Sequence, residues 1–455
     1  MTERRIGLYL LCFLFVISLI FMTYLEDSKY GGGILLVFLG ILITILISCE
    51  DEENAQKIPG NQRRETGLRI NNRIQVLAKK DSNFSLPVFL DYVKIIFLKT
   101  YISYTDEEKI NEITPFFEYD INKIKKVPFT HVFVDKTEIS DIKTFGNRCN
   151  VSVDFNAYFQ TKYKGEVLHC KSEERWVFSR KADAVSVIPN GFGLLRCPSC
   201  GRIYDFSPSG ICPHCNCRQN YESGQWIVSD VKRLKISQTN PQKDFLKYRP
   251  EIGTSDPSIV APNLKKAEEV FSKLHSYRYP SFKIFESRIA KPYFMKICSC
   301  FASDTWNKAR HLIYENSWQN IKFKLSLYKS YGYKRVFDSL EIKKTETVNY
   351  EADNFYQSVT VRIFAECYDY IINYEDGIIG GTNRQKRYFS QYWKFVSCIG
   401  FIGKYEDLEV CPCCGLSVGD VDNSGVCPYC MNKVNDGNFS WVLYSITEDE
   451  DYCGQ

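Results

Sequence analysis

The stretch Cys197-Pro198-Ser199-Cys200-Gly201, followed by Ser209-Gly210-Ile211-Cys212-Pro213-His214-Cys215, recurs later in the chain. Its second copy reads Cys411-Pro412-Cys413-Cys414-Gly415, followed by Ser424-Gly425-Val426-Cys427-Pro428-Tyr429-Cys430. In both copies a tryptophan stands eleven positions after the last cysteine, at Trp226 and at Trp441. Because order, spacing and neighbouring residues all match, the sequence indicates an internal duplication.

Each copy carries two Cys-x2-Cys pairs, separated by eleven residues in the first copy and by twelve in the second. Two such pairs supply the four tetrahedral ligands that zinc prefers, so we predict two structural zinc ions. The predicted ligands are Cys197, Cys200, Cys212, Cys215, Cys411, Cys414, Cys427 and Cys430. A site closed by four protein ligands has no open position for a substrate, so these ions should fold the ribbons rather than catalyse. Disulfides, or iron in the same tetrahedron, are the alternatives.

The residue after each cysteine pair should adopt a positive φ, so that backbone N–H groups point at the sulfur. Gly201 and Gly415 suit this position and Asn216 tolerates it, whereas Met431 does not, so we expect its backbone to differ. Each knuckle is the turn formed by one Cys-x2-Cys pair. His214 and Cys413 stand inside such turns and could also donate to a metal. Since four cysteines already complete each site, we expect both to be exposed non-ligands.

Upstream of each ribbon, residues 150–157 and 358–365 alternate apolar and polar side chains, which predicts a strand. Further strand candidates lie at 130–139 and 335–342, each preceded by a helical region. Each copy is thus predicted to contain helices, then several antiparallel strands, then a zinc ribbon, and finally a short closing strand at the tryptophan.

Two apolar runs near the N-terminus, residues 6–25 and 31–48, contain no charge and are long enough to span a bilayer. Their short connection predicts a transmembrane helical hairpin. Basic residues flank the pair on the outside, so both termini and the remaining chain are expected in the cytoplasm, with the lipid bilayer as a partner. A cleaved signal, or lipoprotein processing at Cys49, is the alternative.

The fold class predicted from these features is α+β, with the transmembrane hairpin followed by two modules that each carry a four-cysteine ribbon. The predicted boundaries are a hairpin at 1–50, a juxtamembrane helix at 51–83, a first module at 84–234 with its ribbon at 197–217, a linker at 235–263, a second module at 264–446 with its ribbon at 411–432, and an acidic tail at 447–455. The proline-rich linker should be extended and poorly packed.

A basic segment within residues 68–80 has apolar side chains at helical spacing. We expect either an ordinary first helix of the module or a helix on the anionic inner leaflet. The membrane-surface candidates are Arg69, Arg73, Lys79 and Lys80.

The stretch Arg175-Trp176-Val177-Phe178-Ser179-Arg180, the strand pattern and the attached ribbon resemble a known family. They are similar to bacterial zinc-ribbon proteins related to the mitochondrial import-motor tether, the Tim-type translocase domain. The resemblance covers residues 84–234 and, more weakly, 264–446. It implies a nuclear-transport-factor-like fold, in which helices and a curved sheet form a cone with an apolar pocket, and it implies binding near a membrane. The second copy lacks both arginines around Trp393.

Three functions are compatible with these features. The first is a non-enzymatic scaffold that binds a protein, a peptide or a lipid. The second is an enzyme acting on a small apolar substrate, with Asp154 and His169 as candidates, although Arg362 occupies the position of Asp154 in the second copy. The third is nucleic-acid binding by the ribbons, which the sparse basic residues and a net charge of +4 argue against. We therefore expect a scaffold and not an enzyme. Nineteen cysteines, an odd number, favour a reducing compartment.

Overall fold

The computed structural model describes most of the chain after residue 59. The described residues are 60–103, 107–119, 121, 129–163, 165–187, 197, 199–200, 210–218, 224–240, 255–303, 305–373, 375, 377–401, 403–418 and 425–454.

The first module begins with helices α1 (Gly60–Lys80), α2 (Leu86–Ser103) and α3 (Glu107–Ile113), and with a 3₁₀ turn at Thr114–Phe116. Four strands follow: β1 (Phe129–Phe145), β2 (Arg148–Tyr163), β3 (Glu166–Lys181) and β4 (Ile227–Gln238). They form one antiparallel sheet in the order β1-β2-β3-β4. The first cysteine ribbon, called ribbon one (residues 197–217), lies between β3 and β4 in the chain.

The second module repeats this plan. Its helices are α4 (Leu264–Leu274), α5 (Phe282–Phe285), α6 (Lys291–Ser303) and α7 (Glu315–Ser330), with a π-helical turn at Glu286–Ala290 and a 3₁₀ helix at Trp306–Leu312. Its strands are β5 (Tyr333–Ala352), β6 (Tyr356–Asn373), β7 (Gly377–Cys398) and β8 (Val442–Glu448), paired in the order β5-β6-β7-β8. Ribbon two (residues 411–432) lies between β7 and β8 in the chain.

The two sheets share the register shifts of their first strand pair as well as their strand order. Register shifts follow Thr130, Val134 and Ile139 in the first sheet and Asp338, Ile342 and Thr347 in the second. Each shift in the second sheet therefore stands 208 positions after its counterpart in the first. Bulges increase the local twist of a sheet, so the two copies bend at equivalent places. The duplication read from the cysteine motifs thus extends through the strands.

The inner face of each sheet, which lies against the helices, is packed with aromatic rings. In the first module Phe97 stacks on Phe155 with ring centroids 4.5 Å apart and lies 5.0 Å from the ring of Trp176. In the second module the rings of Phe285 and Trp441 are 4.8 Å apart. Side chains of this size bury large areas and fill the concave side of a curved sheet. The described part of each inner face is therefore core, where the family resemblance implied an apolar pocket.

A tyrosine in each module joins a helix to the closing strand. The hydroxyl of Tyr92, on α2, donates to the carbonyl of Trp226 at 2.5 Å. The hydroxyl of Tyr293, on α6, donates to the carbonyl of Trp441 at 2.7 Å. The tryptophan that follows each ribbon is thereby fixed to its own module at an equivalent point.

The two modules contact each other where α2 and β1 of the first meet Tyr314 and α7 of the second. The carboxylate of Asp91 is buried and accepts from the Tyr314 hydroxyl and, at 3.0 Å, from the side-chain amide of Asn316. Further along α7, Phe323 stacks on Phe133 of β1 with centroids 4.6 Å apart. Burial among these groups lowers the pKa of the neighbouring Lys94 to about 8. A buried polar contact and an aromatic contact together hold the modules in one orientation.

The outer face of the second sheet is covered by chain segments that flank the module. The backbone N–H of Ile259 donates to the Tyr392 hydroxyl at 3.2 Å, and the ring of Tyr452 stacks on that of Tyr392 at 3.8 Å. Between them the guanidinium of Arg362, 1% exposed, pairs with the carboxylate of Asp449, 2% exposed, at 2.7 Å. Part of the predicted linker and part of the predicted acidic tail are therefore packed against the sheet.

The prediction of a membrane-spanning architecture requires correction. Its two apolar runs, residues 6–25 and 31–48, lie outside the described residues. Among the residues that the structure does describe, no helix combines the length and apolar character needed to cross a bilayer. Even the apolar helix α2 carries Asp91, Lys94 and Lys99 within 18 residues. The structure supports two four-stranded antiparallel sheets with few helices, and it does not support the predicted hairpin or the two-helix membrane location.

Candidate metal centres

Each predicted tetrad is gathered into a compact cluster of sulfurs, all within 4.8 Å of one another. In ribbon one the Sγ atoms of Cys197 and Cys215 are 3.6 Å apart, and those of Cys200 and Cys212 are 3.8 Å apart. All eight cysteines of the two tetrads are free thiols.

Ribbon two has the same dimensions. The Sγ atoms of Cys411 and Cys430 are 3.9 Å apart, and those of Cys414 and Cys427 are 3.8 Å apart. Four sulfurs at the usual zinc–sulfur distance of about 2.3 Å form a tetrahedron with edges of about 3.8 Å. Both tetrads therefore have the dimensions of a closed tetrahedral metal site and can hold a metal ion.

The backbone folds the same way around the three cysteine pairs whose following residue the structure describes; Gly201, which follows the remaining pair, lies outside the described residues. The backbone N–H of the residue after the second cysteine donates a hydrogen bond to the carbonyl of the first cysteine, at 2.9 Å in each case. The pairs are Asn216 to Cys212, Gly415 to Cys411 and Met431 to Cys427. Within these turns, N–H groups point at the leading sulfur, as Cys413 N does toward Cys411 Sγ at 3.4 Å. Such donors stabilise thiolate charge, which a metal site of this type requires.

Met431 adopts the geometry that the sequence had predicted it would avoid. Its φ is 56°, next to 57° at Asn216 and 78° at Gly415. A left-handed conformation costs a non-glycine residue about 1–2 kcal/mol. The knuckle imposes this conformation, because it turns the chain so that the Asn432 carbonyl accepts from the Cys427 N–H at 2.9 Å. The prediction that the Met431 backbone would differ was therefore wrong.

The thiols of one tetrad differ in acidity before a metal binds. Burial raises the pKa of Cys411 to about 12. Burial also acts to raise the pKa of Cys430, but hydrogen bonds from the backbone and side chain of Asn432 outweigh it and lower that pKa to about 6. A metal must displace the proton of Cys411, so its affinity is expected to rise with pH.

The spare donors lie outside both tetrads. His214 is exposed on ribbon one. Cys413 accepts a hydrogen bond from the Asn432 side-chain amide at 3.3 Å and does not belong to the four-sulfur cluster. Four cysteines complete each cluster without them.

Apolar side chains are exposed around the metal end of ribbon two. They are Tyr405 (45% exposed), Leu416 (50%), Tyr429 (52%) and Met431 (73%), and we call them the apolar knuckle surface. Leu416, Tyr429 and Met431 each stand within two residues of a cage cysteine. The ring of Tyr405 lies directly on Gly415, where an added Cβ would come within 2.7 Å of it. None of these residues was predicted as a binding residue, and Met431 was considered only for its backbone. A signal was present in the sequence, because ribbon one has Arg202, His214 and Asn216 at the positions of Leu416, Tyr429 and Met431.

The two candidate catalytic residues lie on the outer side of the first sheet, far apart. Asp154 receives two hydrogen bonds from Arg175, at 2.6 and 2.7 Å. His169 lies six residues from Arg175 on the same strand, which corresponds to about 20 Å at about 3.3 Å per residue. Burial lowers the pKa of His169. The structure therefore does not bring these two side chains together as an acid–base pair.

The four membrane-surface candidates lie on α1, whose Ile70 and Leu77 are buried in the core of the first module. Arg73 pairs with Asp141 of β1, and Arg69, Lys79 and Lys80 are exposed. The helix is therefore the first helix of the module.

Comparisons with known proteins establish no family for this chain. No family model matches it, and no curated protein matches it either. A solved structure described as "Ntf2 like protein involved in plasmid conjugation" is similar over 76% of this chain and 88% of that chain, with 9% sequence identity and a TM-score of 0.17. A TM-score this low does not establish a common fold. The resemblance to the Tim-type translocase domain stays a prediction.

Proposed function

We propose that this chain is a non-enzymatic binding protein in which structural zinc ions fold two ribbons, and that ribbon two binds a protein partner. The observation that carries the proposal is the apolar knuckle surface. Tyrosine and methionine are enriched in protein interfaces relative to other surfaces. Here they stand on a small element that a closed metal cage makes rigid, so little ordering entropy is lost on binding.

The charges around this surface indicate which partner it fits. Three exposed acidic side chains follow Tyr405 closely in sequence: Glu406, Asp407 and Glu409. Lys296 and Arg278 approach Glu409 and Glu406 from the body of the module, leaving Asp407 as an additional acidic group. Lys404, which precedes Tyr405 and is also exposed, balances Asp407, so no excess of charge remains beside the surface. The expected partner is therefore a protein with a complementary apolar patch, bound mainly through burial of these side chains.

The cage geometry supports a structural rather than a catalytic metal. Four thiolates complete each tetrahedron, so a metal held there has no position left for a substrate or an activated water. The zinc ion of ribbon two then acts by fixing the side chains that the knuckles carry.

Exchanging the knuckle residues of ribbon two for those of ribbon one tests the proposal. The variant Leu416→Arg/Tyr429→His/Met431→Asn carries a sequence that the chain itself uses around the other cage. It should therefore keep its metal, while partner recovery after crosslinking in native extract should fall at least about tenfold, as loss of one or more interface anchors predicts. Quantitative mass spectrometry of the recovered proteins is the measurement.

The matched control is Tyr277→His, which replaces a tyrosine that is 96% exposed and outside the ribbons. Proteins recovered equally by the wild type and the control but lost by the ribbon-two variant support the proposal. Equal recovery by all three chains, at equal zinc content, contradicts it.

A further inference from the structure

A cavity of about 560 Å³ separates α1 of the first module from the outer face of the second sheet. Its volume falls in the range of about 300–1,000 Å³ typical of small-molecule sites. The cavity is distinct from both cysteine cages and from the apolar knuckle surface. None of its lining residues has been assigned a function above.

One wall of the cavity is polar and comes from the second sheet. Asn349 and Ser358 lie on it, each about 5% exposed, and among the residues that the structure describes neither side chain has a hydrogen-bond partner. They stand on neighbouring strands, with Asn349 paired to Thr360 and Ser358 paired to Glu351, so they are diagonal neighbours on one face. Polar atoms that face a cavity without a protein partner are hydrogen-bonded to water there, so a ligand that displaces this water must supply the same hydrogen bonds.

The charges near this wall already have partners. The ammonium of Lys394 lies 3.2 Å from the carboxylate of Glu351. The carboxylate of Asp353 accepts from the backbone N–H groups of Phe355 and Tyr356, both at 2.7 Å. Lys266 also lines the cavity, but it is exposed to solvent and belongs to α4 rather than to this wall. The polar wall therefore offers hydrogen bonds without a free charge, which favours an uncharged head group there.

The opposite wall combines apolar side chains with three neutral amides of α1, which are Asn71, Asn72 and Gln75. Its apolar part comes from Leu68, Ile74 and Ala78 on α1, Phe84 before α2, Leu86 on α2 and Val270 on α4. Apolar side chains facing an uncharged polar wall match a molecule with an aliphatic part and a hydroxyl or amide head group.

We infer that this cavity binds an uncharged amphipathic small molecule. Its head group hydrogen-bonds to Asn349 and Ser358, and its aliphatic part packs against Leu68, Ala78 and Leu86. Because both modules line the cavity, the ligand also bridges them.

The test uses the zinc-loaded chain and n-octyl β-D-glucoside below its micellar concentration, with binding measured by isothermal titration calorimetry. The wild type should bind at one saturable site. The variant Asn349→Leu should bind about tenfold more weakly, the loss expected for one hydrogen bond. The variant Ala78→Trp, which fills the cavity, should not bind.

Two controls make the result specific. Ser326→Trp adds the same ring to an exposed position on α7 and should bind as the wild type does. Octyl sulfate, with the same chain and a charged head, should bind at least about tenfold more weakly because the polar wall around Asn349 and Ser358 holds no free cation to pair with it. Absence of a saturable site in the wild type, or equal binding by the wild type and Ala78→Trp, overturns the inference. Neither result bears on partner capture by ribbon two.

Discussion

Replacement of Cys414 by serine is expected to leave the purified chain with one zinc ion instead of two and to unfold ribbon two. Cys414 Sγ is one corner of the second cage, 3.8 Å from Cys427 Sγ. Three remaining thiolates do not close a structural zinc site. Metal coordination contributes on the order of 10 kcal/mol to folding an element of this size, so the ribbon has little to hold it without the ion.

The loss should reach the module body, because ribbon two and the chain after it are hydrogen-bonded to it. Lys404 N donates to the Pro412 carbonyl at 2.8 Å, and the buried Asn435 amide donates to the Ile313 carbonyl at 3.1 Å. We therefore expect a lower thermal midpoint as well as the lost metal, measured by elemental analysis and calorimetry on the same sample.

Cys413→Ser is the matched control, since it changes the neighbouring cysteine and spares the cage. The Asn432 amide that donates to Cys413 Sγ can donate to a serine hydroxyl instead. This variant should keep two zinc ions and the wild-type melt. If both serine variants lose metal equally, the assignment of the fourth ligand in ribbon two is wrong.

Replacement of Arg362 by alanine should lower the free energy of unfolding by about 3–5 kcal/mol, the usual loss when one partner of a buried ion pair is removed. The Arg362 guanidinium pairs with Asp449 at 2.7 Å and also donates to the Asp256 carbonyl at 2.8 Å. The alanine variant leaves the Asp449 carboxylate buried without its cation. Denaturant unfolding followed by fluorescence measures the loss.

Arg175→Ala provides a control from the first sheet. Asp154, at the repeat position of Arg362, also has an arginine–carboxylate pair, but Arg175 and Asp154 are 43% and 32% exposed. An exposed pair contributes only about 0–1 kcal/mol, so this variant should unfold almost as the wild type does. The double variant Arg362→Met/Asp449→Leu should recover most of the stability lost by Arg362→Ala. Equal losses of stability from Arg362→Ala and Arg175→Ala would show that the segments packed on the second sheet do not bury the Arg362–Asp449 pair in solution.

The cysteine cages could be predicted from sequence because their information is local. Spacing within nineteen or twenty residues, with proline after each leading cysteine, is sufficient to place four sulfurs together. Met431 shows the limit of the same reasoning. Its intrinsic preference argues against a positive φ, but the hydrogen bonds and the cage that surround it decide the backbone.

The strands were predicted in part. The alternation in residues 150–157 and 358–365 lies within β2 and β6, and the inward-facing residues of these two stretches are all apolar. The candidate at 335–342 covers less than half of β5, which continues to Ala352. The missed part is rich in charge because β5 is an edge strand, where Lys343 pairs with Glu366 across the sheet. Charged residues are common on edge strands and weaken the alternating pattern.

The packing between distant segments could not be predicted from the pattern. From the sequence, Arg362 could be recognised only as the residue that stands at the position of Asp154 in the second copy. Its burial depends on Asp256, 106 positions before it, and on Asp449, 87 positions after it. Contacts of this range leave no local periodicity in the sequence, and the same holds for the cavity between the modules.

Zinc K-edge X-ray absorption on the purified chain, calibrated for metal content, tests the central claim most directly. We expect two zinc ions per chain, each with a single shell of four sulfurs at about 2.3 Å. An iron edge in place of zinc, a shell that contains nitrogen or oxygen, or a chain without metal whose cysteines are paired as disulfides would contradict it.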